Sequence, residues 1–190
     1  MRLCGMKSEK VYIEYLVLKV QAGEKLPAEG QVGDELFAML QAKVKAFVLK
    51  ILCDRSGVDD CIQTTLLQVF NKLGQLKNPK AFHTWLYRVA YSCCMDYCRK
   101  NNTEVDNAPE VAAATSDVDQ QLDVKTAIAQ LPETLQVIIF LFYYEGFTVV
   151  QMADILKQPA GTIKYQLFEA RQALKKQLVT TNEHINNPTN

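Results

Sequence analysis

Residues 82–102 read FHTWLYRVAYSCCMDYCRKNN, and this stretch has the spacing of one amphipathic helix. Unrolled at about 100° per residue, it predicts an apolar core stripe that contains Phe82, Leu86, Val89, Cys93 and Tyr97. A flanking stripe contains Thr84, Trp85, Arg88, Ser92 and Arg99, and the residues predicted to face away from the core are Tyr87, Tyr91, Cys94 and Cys98. Two interpretations stay open. The helix packs on two sides, or it presents aromatic rings on which bases stack while Arg and Lys hold phosphates.

Helical periodicity continues on both sides of this stretch, without strand-like alternation. Upstream, helices are predicted over 7–22, from Asp34 to about 52, from Ser56 or Asp59 to 73, and over the opening stretch to about 100. Downstream, the helical segments are DVKTAIAQL, ETLQVIIFLFYYEGF, TVVQMADILK and TIKYQLFEARQALKKQL, with Thr148 and Thr162 as predicted N-caps. The sequence therefore predicts an all-α fold of two small helical domains.

The charge distribution separates these two domains. Residues 34–100 contain ten Lys or Arg against six Asp or Glu, whereas residues 101–123 contain six acidic residues and no Lys or Arg. A basic block suits a polyanionic partner, and an acidic, aperiodic run is typical of a flexible linker. The predicted limits are 7–100 for the first domain, 101–122 for the linker, 123–179 for the second domain and 180–190 for a disordered tail.

Other features exclude several classes of protein. No run of 18 apolar residues is present, and charges occupy the place of a signal peptide's apolar region, so a cytoplasmic protein without membrane insertion is expected. The six cysteines lack the CxxC spacing of zinc sites, and neither a metal nor a cofactor is predicted. An enzyme with Cys93 or Cys94 as nucleophile and His83 as base is disfavoured, because about ten helical residues separate them by roughly 15 Å.

The last helices form a candidate helix-turn-helix. Ala153 is small enough for two crossing helices to approach, and Ile163 and Leu167 give the second helix an inward face. Lys164, Tyr165 and Phe168 are then left on the outward side near its N-terminus, where a recognition helix presents side chains to base edges. The alternative for this segment alone is an ordinary helical corner.

Two blocks of the sequence resemble a known family. VDDCIQTTLLQVFNKL followed by KAFHTWLYRVAYSCCMDYCRK resembles the core-binding and promoter-melting part of bacterial extracytoplasmic-function (ECF) sigma factors, which belong to the sigma-70 family. IAQLPETLQVIIFLFYYEGFTVVQMADILKQPAGTIKYQLFEARQAL resembles their minus-thirty-five-reading domain, and LVLKVQAGE resembles their first helix. The resemblance covers about residues 11–178, with both blocks in the family's order around an acidic linker.

The resemblance implies a sigma factor that binds the β and β′ subunits of core RNA polymerase and directs promoter recognition, DNA melting and transcription initiation. Its partners would be core polymerase and promoter DNA, together with the anti-sigma factor that commonly inhibits members of the family. The alternative is a stand-alone helix-turn-helix regulator that does not bind core polymerase. That alternative leaves the block from Asp59 to Arg99 unexplained.

The resemblance also implies three sets of site residues. The core-polymerase-binding set is Asp59, Asp60, Gln63 and Leu67. The minus-ten DNA set is Lys77, Asn78, Lys80, Phe82, His83, Trp85, Tyr87, Arg88, Ser92 and Arg99. The minus-thirty-five DNA set is Thr162, Lys164, Tyr165, Phe168, Glu169 and Arg171.

Several positions depart from the family pattern. Thr64 stands where an acidic residue usually follows the docking glutamine, and Ser92 stands where an asparagine often reads the minus-ten element. Lys157 replaces the turn glycine of the helix-turn-helix, and Gln166 and Glu169 replace two commonly basic residues. These changes concern the choice of promoter and the strength of minus-thirty-five contacts, whereas the helical framework is unaffected.

Overall fold

The structure is a computed structural model that describes the backbone of residues 2–22, 31–52, 55–101 and 121–186. Within these ranges the chain is helical and contains no β-strand, which confirms the all-α prediction. No helix in the described ranges is both long and apolar enough to span a bilayer. The predicted linker falls almost wholly on residues 102–120, which lie outside the described residues.

The chain divides into two compact units. In the first, the helices are α1 (Arg2–Gln21), α2 (Gln31–Ile51), α3 (Val58–Lys72) and α4 (Phe82–Lys100). Short 3₁₀ turns occupy Arg55–Gly57, Leu73–Gln75 and Pro79–Ala81. After residue 120, the helices are α5 (Gln121–Ala129), α6 (Glu133–Ile139), α7 (Val149–Leu156) and α8 (Ala160–Asn186), and a π-helical segment, Phe140–Tyr144, continues α6.

Helix ends agree with the sequence in some places and differ in others. Thr148 caps α7 as predicted, in a capping box that it forms with Gln151. Thr162 is not a cap, because α8 begins at Ala160 behind Pro159, whose fixed φ suits a helix start. α8 also continues to Asn186, where a disordered tail was predicted, because no Gly or Pro interrupts residues 180–186.

Two starts in the first unit also differ from the prediction. α2 begins at Gln31, three residues before Asp34. α3 begins at Val58 after a 3₁₀ turn, and its N-cap is Gly57, which contributes no side-chain hydrogen bond. Neither Ser56 nor Asp59 is therefore the cap of α3.

The core of the first unit forms where α2, α3 and α4 pack against one another, with α1 against α2. α4 is buried over a wider arc than one stripe, because helices cover it on more than one side. Tyr87 is only 1% exposed and packs edge-on against Phe47, with 4.9 Å between ring centroids. Cys94 and Cys98 are also buried, so the prediction that these three face away from the core is wrong. The interpretation of a helix packed on two sides is confirmed.

The glycine at the start of α3 is closely covered by an aromatic ring. A Cβ built on Gly57 would overlap the ring of Tyr97, although the backbone angles of Gly57 suit any residue. We expect Gly57→Ala to lower the free energy of unfolding by about 1–3 kcal/mol, because the ring must move out of its packed position. The measurement is chemical denaturation of the full chain.

Two variants serve as controls for this prediction. Gly74→Ala should be neutral or slightly stabilising, because nothing lies within 4 Å of the added methyl group and its φ is not positive. In a Tyr97→Ala background, the effect of Gly57→Ala should disappear. If Gly57→Ala destabilises equally without the Tyr97 ring, overlap with that ring is not the cause.

The second unit forms its own core. Leu131, Leu135, Ile139 and Ala170 make a buried cluster among α5, α6 and α8. Gly146, with φ of 67°, ends the α6 and π-helical run as predicted. Lys157 follows α7 with φ of 53°, in the left-handed region where a residue with a Cβ is disfavoured by about 1–2 kcal/mol. This geometry explains why a glycine suits the position.

Candidate nucleic-acid and protein interfaces

α3 presents a mixed polar and apolar face to solvent. Asp59, Asp60, Gln63 and Leu67 are all exposed, and Leu67 is 65% exposed. The opposite face, with Ile62, Leu66 and Val69, is buried. Asp59 and Asp60 lie in the first turn, where carboxylates favourably oppose the helix dipole. The exposed Leu67 side chain and the two neighbouring carboxylates together form a surface suited to a protein partner.

The second candidate surface is the segment Lys77–Lys80, called the lysine loop, which follows the 3₁₀ turn Leu73–Gln75 and runs into the turn Pro79–Ala81. Lys77, Asn78 and Lys80 are exposed. The Asn78 Oδ1 atom accepts a hydrogen bond of 3.1 Å from the Lys80 backbone N–H and thereby caps the turn that leads into α4. The loop is therefore held by its own side chain while both lysine side chains remain available to a polyanion.

The structure separates the minus-ten candidates on α4 into two groups. Phe82, His83 and Tyr87 are buried, so they cannot offer a ring face to a base from the surface. Trp85, Arg88 and Ser92 are half-buried, and Arg99 is exposed. Aromatic surface on this helix is thus smaller than the sequence suggested, since the unit's core takes up part of it.

Local contacts already engage several side chains of the accessible group. The Trp85 ring lies 6.0 Å from the Phe82 ring. The Ser92 hydroxyl donates a 2.9 Å hydrogen bond to the Arg88 carbonyl, so its only proton is used within the helix. Arg99 pairs with Asp96 at 3.3 Å in an exposed position, where an ion pair contributes little and exchanges readily.

Burial keeps the thiols of α3 and α4 and the ring of His83 in their neutral forms. Burial raises the pKa of Cys61 to about 11, and it also raises the pKa values of Cys93 and Cys94, so the thiols are protonated at pH 7. Burial lowers the pKa of His83 to about 4, which keeps its ring neutral. Among the described residues, no group of three or more His, Cys, Asp or Glu could hold a metal ion.

The outward face of α8 carries the third candidate surface. All six residues of the minus-thirty-five set are exposed, and Tyr165 and Phe168 are 64% and 60% exposed. Ile163 and Leu167 are buried, which confirms their predicted inward direction. Gln166 is half-buried, so of the two departures from the basic pattern only Glu169 lies fully on the surface.

Arg171 has partners that the sequence did not reveal. Its Nε atom donates a 2.9 Å hydrogen bond to the Tyr143 hydroxyl, and its guanidinium lies 5.3 Å from the Phe142 ring centroid and 5.8 Å from that of Tyr143. The π-helical segment places both rings beside α8. No local pattern signals this contact, since 28 residues separate Arg171 from Tyr143.

Comparison with known families assigns both units. Sigma-70 region 2 matches residues 36–104, which include α3, the lysine loop and α4, and sigma-70 region 4 matches residues 121–174, which include the helix-turn-helix. The chain belongs to the sigma-70 family, in its ECF group. This sigma factor binds core RNA polymerase and promoter DNA, and it directs promoter recognition and transcription initiation.

Similar proteins cover nearly the whole chain. This sigma factor is 27% identical to the RNA polymerase sigma-H factor of Pseudomonas aeruginosa, over 87% of the chain and 93% of the relative. It is 26% identical to the ECF RNA polymerase sigma-E factor of Haemophilus influenzae, over 90% and 97%. The same identity, over 88% and 94%, relates it to the sigma-E factor of Escherichia coli.

Two solved structures share the fold. The sigma factor RpoE of Bartonella quintana, in complex with the anti-sigma factor NepR, matches with a TM-score of 0.52 and 24% identity, over 76% of this chain and 95% of that one. CnrH, in complex with the cytosolic domain of CnrY, matches with a TM-score of 0.51 and 16% identity, over 88% and 97%.

Proposed function

We propose that this sigma factor contacts core polymerase and promoter DNA through three separate surfaces. The exposed face of α3 docks on core polymerase, the lysine loop with the accessible side of α4 holds the melted minus-ten strand, and the outward face of α8 reads the minus-thirty-five element. The observation that supports this proposal is burial: on α3 and α8 the proposed contact residues are exposed. The apolar residues that alternate with them, Ile62, Leu66, Ile163 and Leu167, are buried.

The minus-ten contacts come from a subset of the residues that the family resemblance implied. Lys77, Lys80 and Arg99 meet phosphates, and Trp85 and Arg88 meet bases or sugars at the edge of α4. Phe82, His83 and Tyr87 act indirectly, because from the core they fix the position of the helix. Sequence is read in the opened strand, where an extruded base regains by stacking part of the energy lost on unpairing.

The remaining roles follow from chemistry and from similar proteins. This sigma factor acts in the cytoplasm with core polymerase and is not an enzyme, a proposal supported by its protonated, buried thiols. An anti-sigma factor inhibits it, as the complex of RpoE with NepR suggests. We propose that its first domain spans residues 7–100, and that its second spans 121–186 because α5 begins at Gln121 and α8 continues to Asn186. The acidic segment between them joins the two.

Run-off transcription with purified core polymerase tests the proposal. The full chain should give defined start sites, and mapping these sites should yield shared minus-ten and minus-thirty-five elements. A stand-alone regulator would bind duplex DNA but would neither be retained by core polymerase in a pull-down nor support start-site-specific transcripts.

We expect Glu169→Arg to strengthen binding of the holoenzyme to promoter duplex about tenfold, because the change replaces a repelling carboxylate with a phosphate partner. The slope of log affinity against log salt should steepen by about one unit, the value for one additional neutralised phosphate. Fluorescence titration at several salt concentrations, with a duplex that contains the mapped minus-thirty-five element, measures both quantities.

Glu169→Gln is the matched control because it removes the charge and keeps the shape. It should fall between wild type and Glu169→Arg. Unchanged affinity and slope for Glu169→Arg would show that residue 169 does not face the phosphates. Loss of specific binding in both variants would show instead that the Glu169 carboxylate accepts a hydrogen bond from a cytosine amino group.

A further inference from the structure

One side chain of α1 is hydrogen-bonded to the turn that precedes the lysine loop. The Gln21 Nε2 atom donates hydrogen bonds of 2.8 Å to the carbonyl oxygens of both Leu73 and Leu76. Leu73 begins the 3₁₀ turn that follows α3, and Leu76 ends it with a backbone N–H that donates a 3.2 Å hydrogen bond to the Leu73 carbonyl. One amide group thus bridges the start and the end of the turn and fixes the chain immediately before Lys77.

The other end of the loop is also attached to α1. The His83 Nε2 atom lies 3.3 Å from the Lys10 carbonyl oxygen, at the start of α4. α1 also packs against the 3₁₀ turns on both sides of the loop. Lys10 and Gln21 are eleven residues apart, or about 16 Å along a rigid helix. The segment between Leu76 and His83 is therefore held at both ends by one helix.

We propose that Gln21 is a positioning residue for the minus-ten loop. Its two hydrogen bonds hold Lys77, Asn78 and Lys80 in the conformation that captures an unpaired promoter base. Without these hydrogen bonds the loop samples further conformations. The apparent affinity for the opened strand then falls in proportion to the fraction of time that the loop spends in the competent conformation. This inference rests on the proposed minus-ten role of the loop and adds α1 to the parts that determine promoter recognition.

The test compares holoenzymes assembled from core polymerase and full-length variants. Gln21→Met keeps the length of the side chain and removes both donors. The probe is a single-stranded non-template oligonucleotide from a promoter opened by the wild-type holoenzyme, with an abasic version as reference. We expect Gln21→Met to lower affinity for the intact strand about tenfold, as loss of two neutral hydrogen bonds implies, and to leave the abasic strand nearly unaffected.

Three variants and one structural measurement make the test specific. Gln75→Met, the same chemical change at an exposed position of the same turn, should bind like wild type. Gln21→Lys, whose ammonium can donate to both carbonyls, should recover most of the lost affinity. Asp60→Arg should weaken binding to core polymerase. At saturating core polymerase, however, its ratio of affinities for the intact and the abasic strand should equal that of wild type. Hydrogen exchange in Gln21→Met should accelerate over residues 73–80 and remain unchanged in α2 and α3.

Two results would overturn the inference while leaving the proposed function intact. In one, Gln21→Met discriminates the intact from the abasic strand as wild type does. In the other, core affinity, strand affinity and exchange throughout the first unit all change together, which would make Gln21 a general stabiliser of the fold. If the wild-type holoenzyme itself fails to distinguish the intact strand from the abasic strand, the minus-ten role of the loop is wrong.

Discussion

Asp60→Arg should weaken binding to core polymerase about 100-fold, the scale of a central charged contact in a protein interface. Asp60 is exposed in the first turn of α3, beside Asp59 and one turn before Gln63. A surface of core polymerase that binds two carboxylates is expected to carry basic groups. The substitution removes one carboxylate and places a cation against those basic groups. The size of the expected effect comes from this reversal, since removal of an exposed charge alone changes affinity far less.

The measurement is a fluorescence titration of core polymerase with the full chain. Glu14→Arg makes the same charge change on α1 and should bind like wild type. Asp60→Asn separates the lost charge from the added one and should fall between wild type and Asp60→Arg. The thermal midpoint of Asp60→Arg should drop only slightly, because a carboxylate near a helix N-terminus contributes about 0.3–1 kcal/mol. Equal core affinity for Asp60→Arg and wild type would contradict the docking role of this face.

Features that depend on neighbouring residues could be predicted from the sequence. The end of α4 at Lys100, the capping box at Thr148 and the inward direction of Ile163 and Leu167 all follow from spacing within one helix. The exposed direction of Asp60 followed in the same way, because Ile62 and Leu66 define the buried face of α3. Helical periodicity and capping depend only on nearby residues, and at these positions the tertiary structure agrees with them.

Features that depend on the arrangement of helices could not be predicted. A period of 3.6 residues locates one apolar stripe, but α4 is covered on more than one side, so Tyr87, Cys94 and Cys98 are buried outside that stripe. Tyrosine and cysteine occur both in protein cores and at surfaces, so the residue type alone does not show whether the side chain is buried. The Gln21 contacts span 52 and 55 residues, and no pattern in the sequence relates those positions.

At the proposed promoter-melting site, burial separates accessible from inaccessible aromatic surface. Phe82 and Tyr87 are used by the core, whereas Trp85 remains half-buried with part of its ring at the surface. A base stacked on an aromatic ring gains about 1–3 kcal/mol, comparable to the cost of unstacking it from the duplex. Stacking of one base on the half-buried Trp85 would therefore be large enough to affect promoter opening, as the proposed role requires.

The double variant Lys80→Ala with Trp85→Ala should slow open-complex formation about 100-fold, since it removes one stacking ring and one phosphate partner. Permanganate reactivity of unpaired thymines, followed over time on a promoter used by the wild-type holoenzyme, measures the rate. Affinity for core polymerase should stay unchanged, because α3 is intact. Trp85→Phe, which keeps an aromatic ring, should recover much of the rate when Lys80 is present.

Packing provides the competing explanation, because the Trp85 ring lies beside the buried Phe82 ring. If Trp85 serves mainly the core, the double variant should lose thermal stability and core affinity in proportion to its loss of opening rate, and the melting role would then be wrong. Lys45→Ala, at an exposed lysine of α2, is the control for charge and should open the promoter at the wild-type rate. A double variant that folds normally, binds core polymerase normally and still opens slowly places Trp85 and Lys80 on the melted strand, because neither lost packing nor lost net charge can produce that combination.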